Sequence, residues 1–125
     1  MKTPKSLHIH KKSAVLEILF YNENPIFLSA EYLRVFSPSA ETKGHGPGQE
    51  VLQHGKRSVQ FLDVEFQGNY AIKISFSDGH KSGIYSWDYL IGLAANFERN
   101  WEDYLIRLSL EKRSRDAIFI DAISD

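Results

Sequence analysis

The chain has 125 residues, 42% of them hydrophobic, with 15 basic against 16 acidic side chains, so it can build one core of ordinary domain size and has no room for two. The near-neutral balance gives no general attraction for nucleic acid or an anionic membrane. The absence of cysteine excludes disulfides, thiolate nucleophiles, cysteine-ligated zinc and iron-sulfur ligation, and fits a cytoplasmic protein.

Along the chain, Leu7 and Ile9 alternate with His8 and His10, which predicts a first strand over 6–11. The basic start precedes only a short apolar run that Glu17 interrupts, so no signal peptide is expected. No stretch approaches the roughly 20 apolar residues of a membrane helix. Leu16, Ile18 and Phe20 sit at period two, as a half-buried strand requires. Asn22-Glu23-Asn24-Pro25 is turn chemistry, and Ser29 is placed as an N-cap with Glu31 in the first helical turn. The stretch 37–57 contains Gly44, Gly46, Pro47, Gly48 and Gly55 and reads as either a functional or a mobile loop.

Downstream, 58–67 alternates as a strand with a break near Leu62-Asp63 that would suit a bulge. Ile72, Ile74 and Phe76 form the next strand, Asp78-Gly79 supplies a tight turn, and Ser86 caps a helix containing Tyr89 and Leu90. Trp101, Tyr104, Leu105 and Leu108 predict a C-terminal helix over about 100–113 with Asn100 as its cap. The tail 116–125 alternates imperfectly; it would pair as an edge strand, dock or fray, and is expected to be mobile.

Two of these stretches repeat one another. Residues 16–33 align with 72–90 after one gap, so that Ile18 meets Ile74, Phe20 meets Phe76, and Ser29, Tyr32 and Leu33 meet Ser86, Tyr89 and Leu90. Each copy reads as strand, turn, short strand, helix. The expected fold is therefore α+β, a single domain over 1–125 with antiparallel strands, two repeated units and a C-terminal helix.

The strings from Tyr70 to Leu90, containing Asp78-Gly79-His80-Lys81-Ser82-Gly83-Ile84-Tyr85, and from Ala30 to Ala40 resemble the gamma-butyrobetaine hydroxylase-like N-terminal domain family over about residues 5–95. The resemblance implies a small α+β module that occurs alone in bacteria, at the front of certain 2-oxoglutarate-dependent oxygenases, and fused to iron-sulfur carriers. It also implies a zinc site of three cysteines and the histidine of the Asp-Gly-His turn. At the matching places this chain has Ser37, Ser39, Thr42 and His80, so three of four ligands are replaced by hydroxyls, which are poor zinc ligands. No structural metal and no cofactor are expected. Oxygenase chemistry is not implied either, because none of His8, His10, His45, His54 or His80 opens an H-x-D or H-x-E string.

Other candidates have simple readings beside their functional ones. His80 is a recognition or metal residue, or a turn histidine bonded to backbone. The glycine-rich stretch 44–48 lacks the Gly-Lys-Ser/Thr ending of a phosphate loop and reads as surface. Arg34, Lys56 and Arg57 would meet an acidic partner or stay solvated, and Trp87 is either an exposed anchor or a core residue. The lysines and arginines at 11–12 and 112–115 lack interleaved aromatics for base stacking. No catalytic constellation is recognisable. The expectation is a non-enzymatic accessory or interaction module with a protein partner, linked through the resemblance to iron-sulfur or oxygenase systems, with His45, Arg34, Lys56, Arg57, His80 and Trp87 as possible contacts. The alternative is a metal-binding protein using His80 with His45 and His54.

Overall fold

Leu16, Ile18 and Phe20 on β2 (Val15–Phe20) and Ile72, Ile74 and Phe76 on β5 (Ala71–Phe76) are all buried, as their period-two spacing requires. Burial of one such side chain is worth roughly 1.5–3 kcal/mol, so these two strands anchor the fold. The structure is a computed structural model, and it describes residues 3–117. β2 lies between β1 (Pro4–His10) and β3 (Ile26–Ser29) in one antiparallel sheet, and β5 lies between β4 (Phe61–Gln67) and β6 (Gly83–Ser86) in a second. Ile18 stands opposite Leu7 and Ile26, while Ile72 stands opposite Phe66 and Tyr85. The architecture is α+β. The irregularity expected in β4 falls between Phe61 and Asp63.

Each sheet feeds a helix through a serine. The Ser29 hydroxyl accepts the Tyr32 N–H at 3.0 Å to start α1 (Ala30–Val35), and the Ser86 hydroxyl accepts the Tyr89 N–H at 3.1 Å to start α3 (Trp87–Ala95). The repeat in the sequence is thus a repeat in structure. The two capped tyrosines then bond across it: the Tyr32 hydroxyl donates to the Leu93 carbonyl at 2.6 Å, and the Tyr89 hydroxyl donates to the Phe36 carbonyl. Tyr32 and Phe36 occupy the places of Tyr89 and Leu93, so the two bonds are equivalent. One core joins both sheets and both helices through Leu16, Ile18, Leu33, Ile74, Trp87 and Leu90.

The last helix, α4 (Phe97–Leu110), lays Tyr104 and Leu108 against Val35. It begins earlier than its periodicity predicts, because Asn96 both ends α3 and precedes α4, bonding the Gly92 carbonyl through its N–H and its side chain at 3.0 Å each. Asn100 sits inside the helix instead, donating its amide to the Tyr32 oxygen at 3.0 Å.

The stretch 37–57 is held rather than loose. It contains a short helix, α2 (Ala40–Lys43), and the Val51 N–H donates to the Thr42 carbonyl at 2.8 Å. From α4, the Arg107 guanidinium reaches the Glu50 carbonyl and the Tyr104 hydroxyl reaches the Gln53 carbonyl, both at 2.8 Å. Beyond α4 the chain runs beside residues 55–57 through Gly55 N–H to Ser114 O (2.8 Å) and Arg57 N–H to Arg115 O (2.9 Å). Arg115 pairs with Glu31 at 2.6 Å and lies over the Trp101 ring. Most of the tail expected to be mobile, residues 118–125, lies outside the described residues.

Candidate functional site

Two chain breaks bring the site together. Phe36 closes α1, and Pro38, which cannot extend a helix, turns the chain so that Ser39 starts α2. Facing it is the turn between β5 and β6. There Gly79 takes φ +93°, a conformation glycine adopts without penalty, and the Asp78 carboxylate accepts the His80 N–H at 3.1 Å. The His80 carbonyl in turn accepts the Phe76 N–H at 2.9 Å. These backbone contacts aim the imidazole inward.

Ser37, Ser39, Thr42 and His80 converge there. The His80 Nε2 atom lies 2.8 Å from Ser37 Oγ and 3.4 Å from Ser39 Oγ, and Ser39 Oγ lies 3.4 Å from Thr42 Oγ1. The Ser39 N–H also donates to Ser37 Oγ at 3.3 Å. All four side chains are buried, Ser37 to 1% exposure and His80 to 8%. The Glu41 carboxylate stands 3.7 Å from the other ring nitrogen, Nδ1. That arrangement favours a proton on Nδ1, which leaves Nε2 to accept the Ser37 O–H.

Beside the cluster lies a charge group of which Arg34 is the buried member. Arg34 donates from Nε to Asp78 Oδ2 at 2.8 Å and from Nη1 to Gln53 at 2.8 Å, and Lys56 Nζ reaches the same Asp78 oxygen at 2.6 Å. Burial alone would raise the Asp78 pKa, but Lys56, the His80 N–H and Arg34 outweigh it and bring it down to about 2. Burial, and then the Arg34 charge, push the His80 pKa below its ordinary value despite Glu41 and Asp78. The ring is therefore held neutral.

A serine hydroxyl bonded to an imidazole is the opening of a nucleophile and base pair. Here the oxygen is enclosed: Ser37 is 1% exposed, and a Cβ on Gly83 would stand 2.5 Å from its Oγ, so only glycine fits over it. Zinc does not fit the donor set either. Three neutral hydroxyls replace thiolates, and every buried side-chain nitrogen or oxygen among the described residues already has a hydrogen-bond partner. Among the described residues no three His, Cys, Asp or Glu side chains are grouped to hold a metal ion.

The other sequence candidates separate. His45 and His54 are exposed and do not join His80 in such a group. Arg34, a candidate for a solvated charge, is buried and paired with Asp78; Arg57 is exposed and pairs with Asp116 at 2.5 Å. Trp87 is a core residue at 1% exposure, its indole N–H donating to the Asn69 carbonyl at 2.8 Å, which removes it as a surface anchor. His80 bonds side-chain hydroxyls rather than backbone through its ring.

Sequence reasoning missed a cleft of about 340 Å³ whose lining includes Val35, Phe36, Leu52, Tyr89 and Tyr104. Lys43 lies at its edge, Nζ 5.2 Å over the Tyr89 ring. Its one local signal is Val51-Leu52, an apolar pair inside a polar stretch. Ser37 and Thr42 line the cleft as well as the cluster.

With this geometry in view, the family profile described as "Gamma-butyrobetaine hydroxylase-like, N-terminal" matches residues 7–91, more than half of the chain. The chain belongs to that family. Two NMR solution structures share 45% and 42% identity with it, cover 96% and 100% of this chain and 95% and 93% of their own, and superpose with a TM-score of 0.80 each. A crystal structure of a protein of unknown function of the DUF971 family from Acidithiobacillus ferrooxidans ATCC 23270 shares 32% identity, covers 74% of this chain and 93% of its own, and gives a TM-score of 0.62. No curated protein matches.

Proposed function

We propose that the chain is a non-catalytic accessory module that engages a protein partner through the cleft between residues 35–53 and α4. One observation carries this reading: the chemically equipped side chains are closed in on one another, whereas the apolar cleft beside them is open. A cleft of this size and lining takes one or two apolar side chains of a partner, and the charges beside it, Lys43 and Arg107 with Glu50 and Asp103, set their orientation. The described residues contain no helix long and apolar enough to cross a membrane, and the site of action proposed is the cytoplasm of a bacterium. The family resemblance makes iron-sulfur carriers and oxygenases the first partners to try.

The test is capture from native lysate with the full chain and with Leu52→Glu, after circular dichroism has shown that the variant is folded. A partner held by the first and lost by the second supports the reading. Equal capture by both, or turnover of a substrate blocked by Ser37→Ala, overturns it.

A further inference from the structure

The family resemblance places zinc at positions 37, 39, 42 and 80, and the donor set found there does not fit it. We infer that these four residues form a metal-independent latch, in which hydrogen bonds among three hydroxyls and one imidazole fasten the wall of the cleft to the turn between β5 and β6.

The chemistry differs from a metal site in a specific way. Cysteine ligands give up their protons on binding zinc, and the free energy that orders such a site comes with the metal. Hydroxyl groups are neutral and each both donates and accepts, so a set of them can satisfy itself. The distances show that closure: Thr42 to Ser39 at 3.4 Å, Ser39 to His80 at 3.4 Å, and His80 to Ser37 at 2.8 Å. Every buried side-chain nitrogen or oxygen among the described residues has a hydrogen-bond partner, so the cluster is held together without an ion.

The latch also has a mechanical place. Ser37 and Thr42 belong to the segment that lines the cleft, and Thr42 passes its position on through its carbonyl, which accepts the Val51 N–H at 2.8 Å. His80 belongs to the opposite element and is fixed through Asp78 and Phe76. Breaking the cluster should therefore loosen 42–53 before it loosens β2 or β5. The inference is independent of what occupies the cleft, and its failure is separable from failure of the partner reading because its test involves no partner.

The experiment uses the full chain purified without a histidine tag. Its metal content is measured, and its melting temperature is followed with EDTA and with added zinc chloride. Amide hydrogen exchange is then compared between the natural chain, Ser37→Ala and Thr42→Val, the last keeping the shape while removing a hydroxyl. We expect no bound zinc, a melting temperature unmoved by EDTA, and exchange at the Val51 amide about tenfold faster in the variants, the scale of one lost buried hydrogen bond. Zinc near one per chain, a melting temperature lowered by EDTA, or unchanged exchange over 42–53 in both variants would overturn the inference.

Discussion

The two repeated units start alike and end differently. In both, a buried central strand leads through a turn and a short strand to a serine-capped helix, and Tyr32 and Tyr89 tie each helix to the other. After that the units diverge. α1 stops after six residues, and Pro38 sends the chain back over the other unit's turn. α3 continues for nine residues and passes almost directly into α4. The places equivalent to Ser37 and Ser39 hold Ala94 and Asn96, and the turn equivalent to Ser77-Asp78-Gly79-His80 is Asn22-Glu23-Asn24-Pro25. The scaffold therefore comes from what the units share, and the candidate site from what they do not. The site is also shared between them, because its hydroxyls follow the first unit's helix and its imidazole sits in the second unit's turn.

The largest effect should come from giving the second unit's turn a metal. Ser37→Cys, Ser39→Cys and Thr42→Cys combined would set three thiolates around His80, a closed tetrahedral set. Structural zinc sites are worth roughly 10–16 kcal/mol of apparent binding free energy in zinc-finger peptides. Even a poor version should raise the melting temperature by about 10 °C or more on adding zinc. The same three cysteines at Ala94, Asn96 and Arg99 should give no such response, and a response of equal size there would mean that position in the repeat, not the turn histidine, makes the site.

Next come the shared strands. Ile18→Ala and Ile74→Ala remove equivalent, fully buried side chains and should each cost about 2–5 kcal/mol in chemical denaturation. Costs that differ by more than the spread of that range would show that one unit, not both, carries the fold. At the caps, Ser29→Ala and Ser86→Ala should each cost about 0.5–2 kcal/mol, since each removes one N–H acceptor of the same geometry. A cap whose loss cannot be measured in either unit would break the equivalence.

How far these features could be read in advance depended on how local they are. The repeat, its two caps, the Asp-Gly turn and the burial of Tyr104 and Leu108 on α4 were legible because each is a pattern of spacing within a few residues, whereas Leu105, expected on the same apolar face, is exposed. The four site positions were legible through the family resemblance, which named Ser37, Ser39, Thr42 and His80 as counterparts. α2 was not, because four residues carry no helical periodicity. The start of α4 went astray because the helix already begins at Phe97, after an Asn96 that makes no side-chain cap bond to it, and Asn100 lies inside the helix with its amide on Tyr32, 68 positions away. The burial of Arg34, the core place of Trp87 and the cleft wall at Val51-Leu52 are likewise set by partners far along the chain: Asp78, Asn69 and α4.

The smallest effect expected is a pH dependence that only the second unit has. His80 titrates below its ordinary value in the folded chain because burial and Arg34 disfavour the imidazolium, whereas the unfolded chain takes up the proton near the model-peptide value of about 6.5. Below that pH the unfolded state binds more protons, so stability falls as pH falls, and the contribution is complete above it. The slope cannot exceed one proton, about 1.4 kcal/mol per pH unit. It should level off once the folded ring is protonated too. Asp78 does not confuse the measurement, since its carboxyl titrates at about 2 in the folded chain and near 3.8 otherwise, a separate and lower window. Glutamine can keep a hydrogen bond to Ser37 but takes up no proton, so His80→Gln should flatten the slope that begins below about pH 6.5. Asn24→His, placed in the equivalent turn of the first unit where no hydroxyl cluster follows the helix, should not steepen it. Parallel curves for the natural chain and His80→Gln, read by urea denaturation from pH 7.5 to 4.5, would assign the slope to groups other than His80, and a slope gained with Asn24→His would show that any turn histidine suffices and that the buried hydroxyls are not its cause.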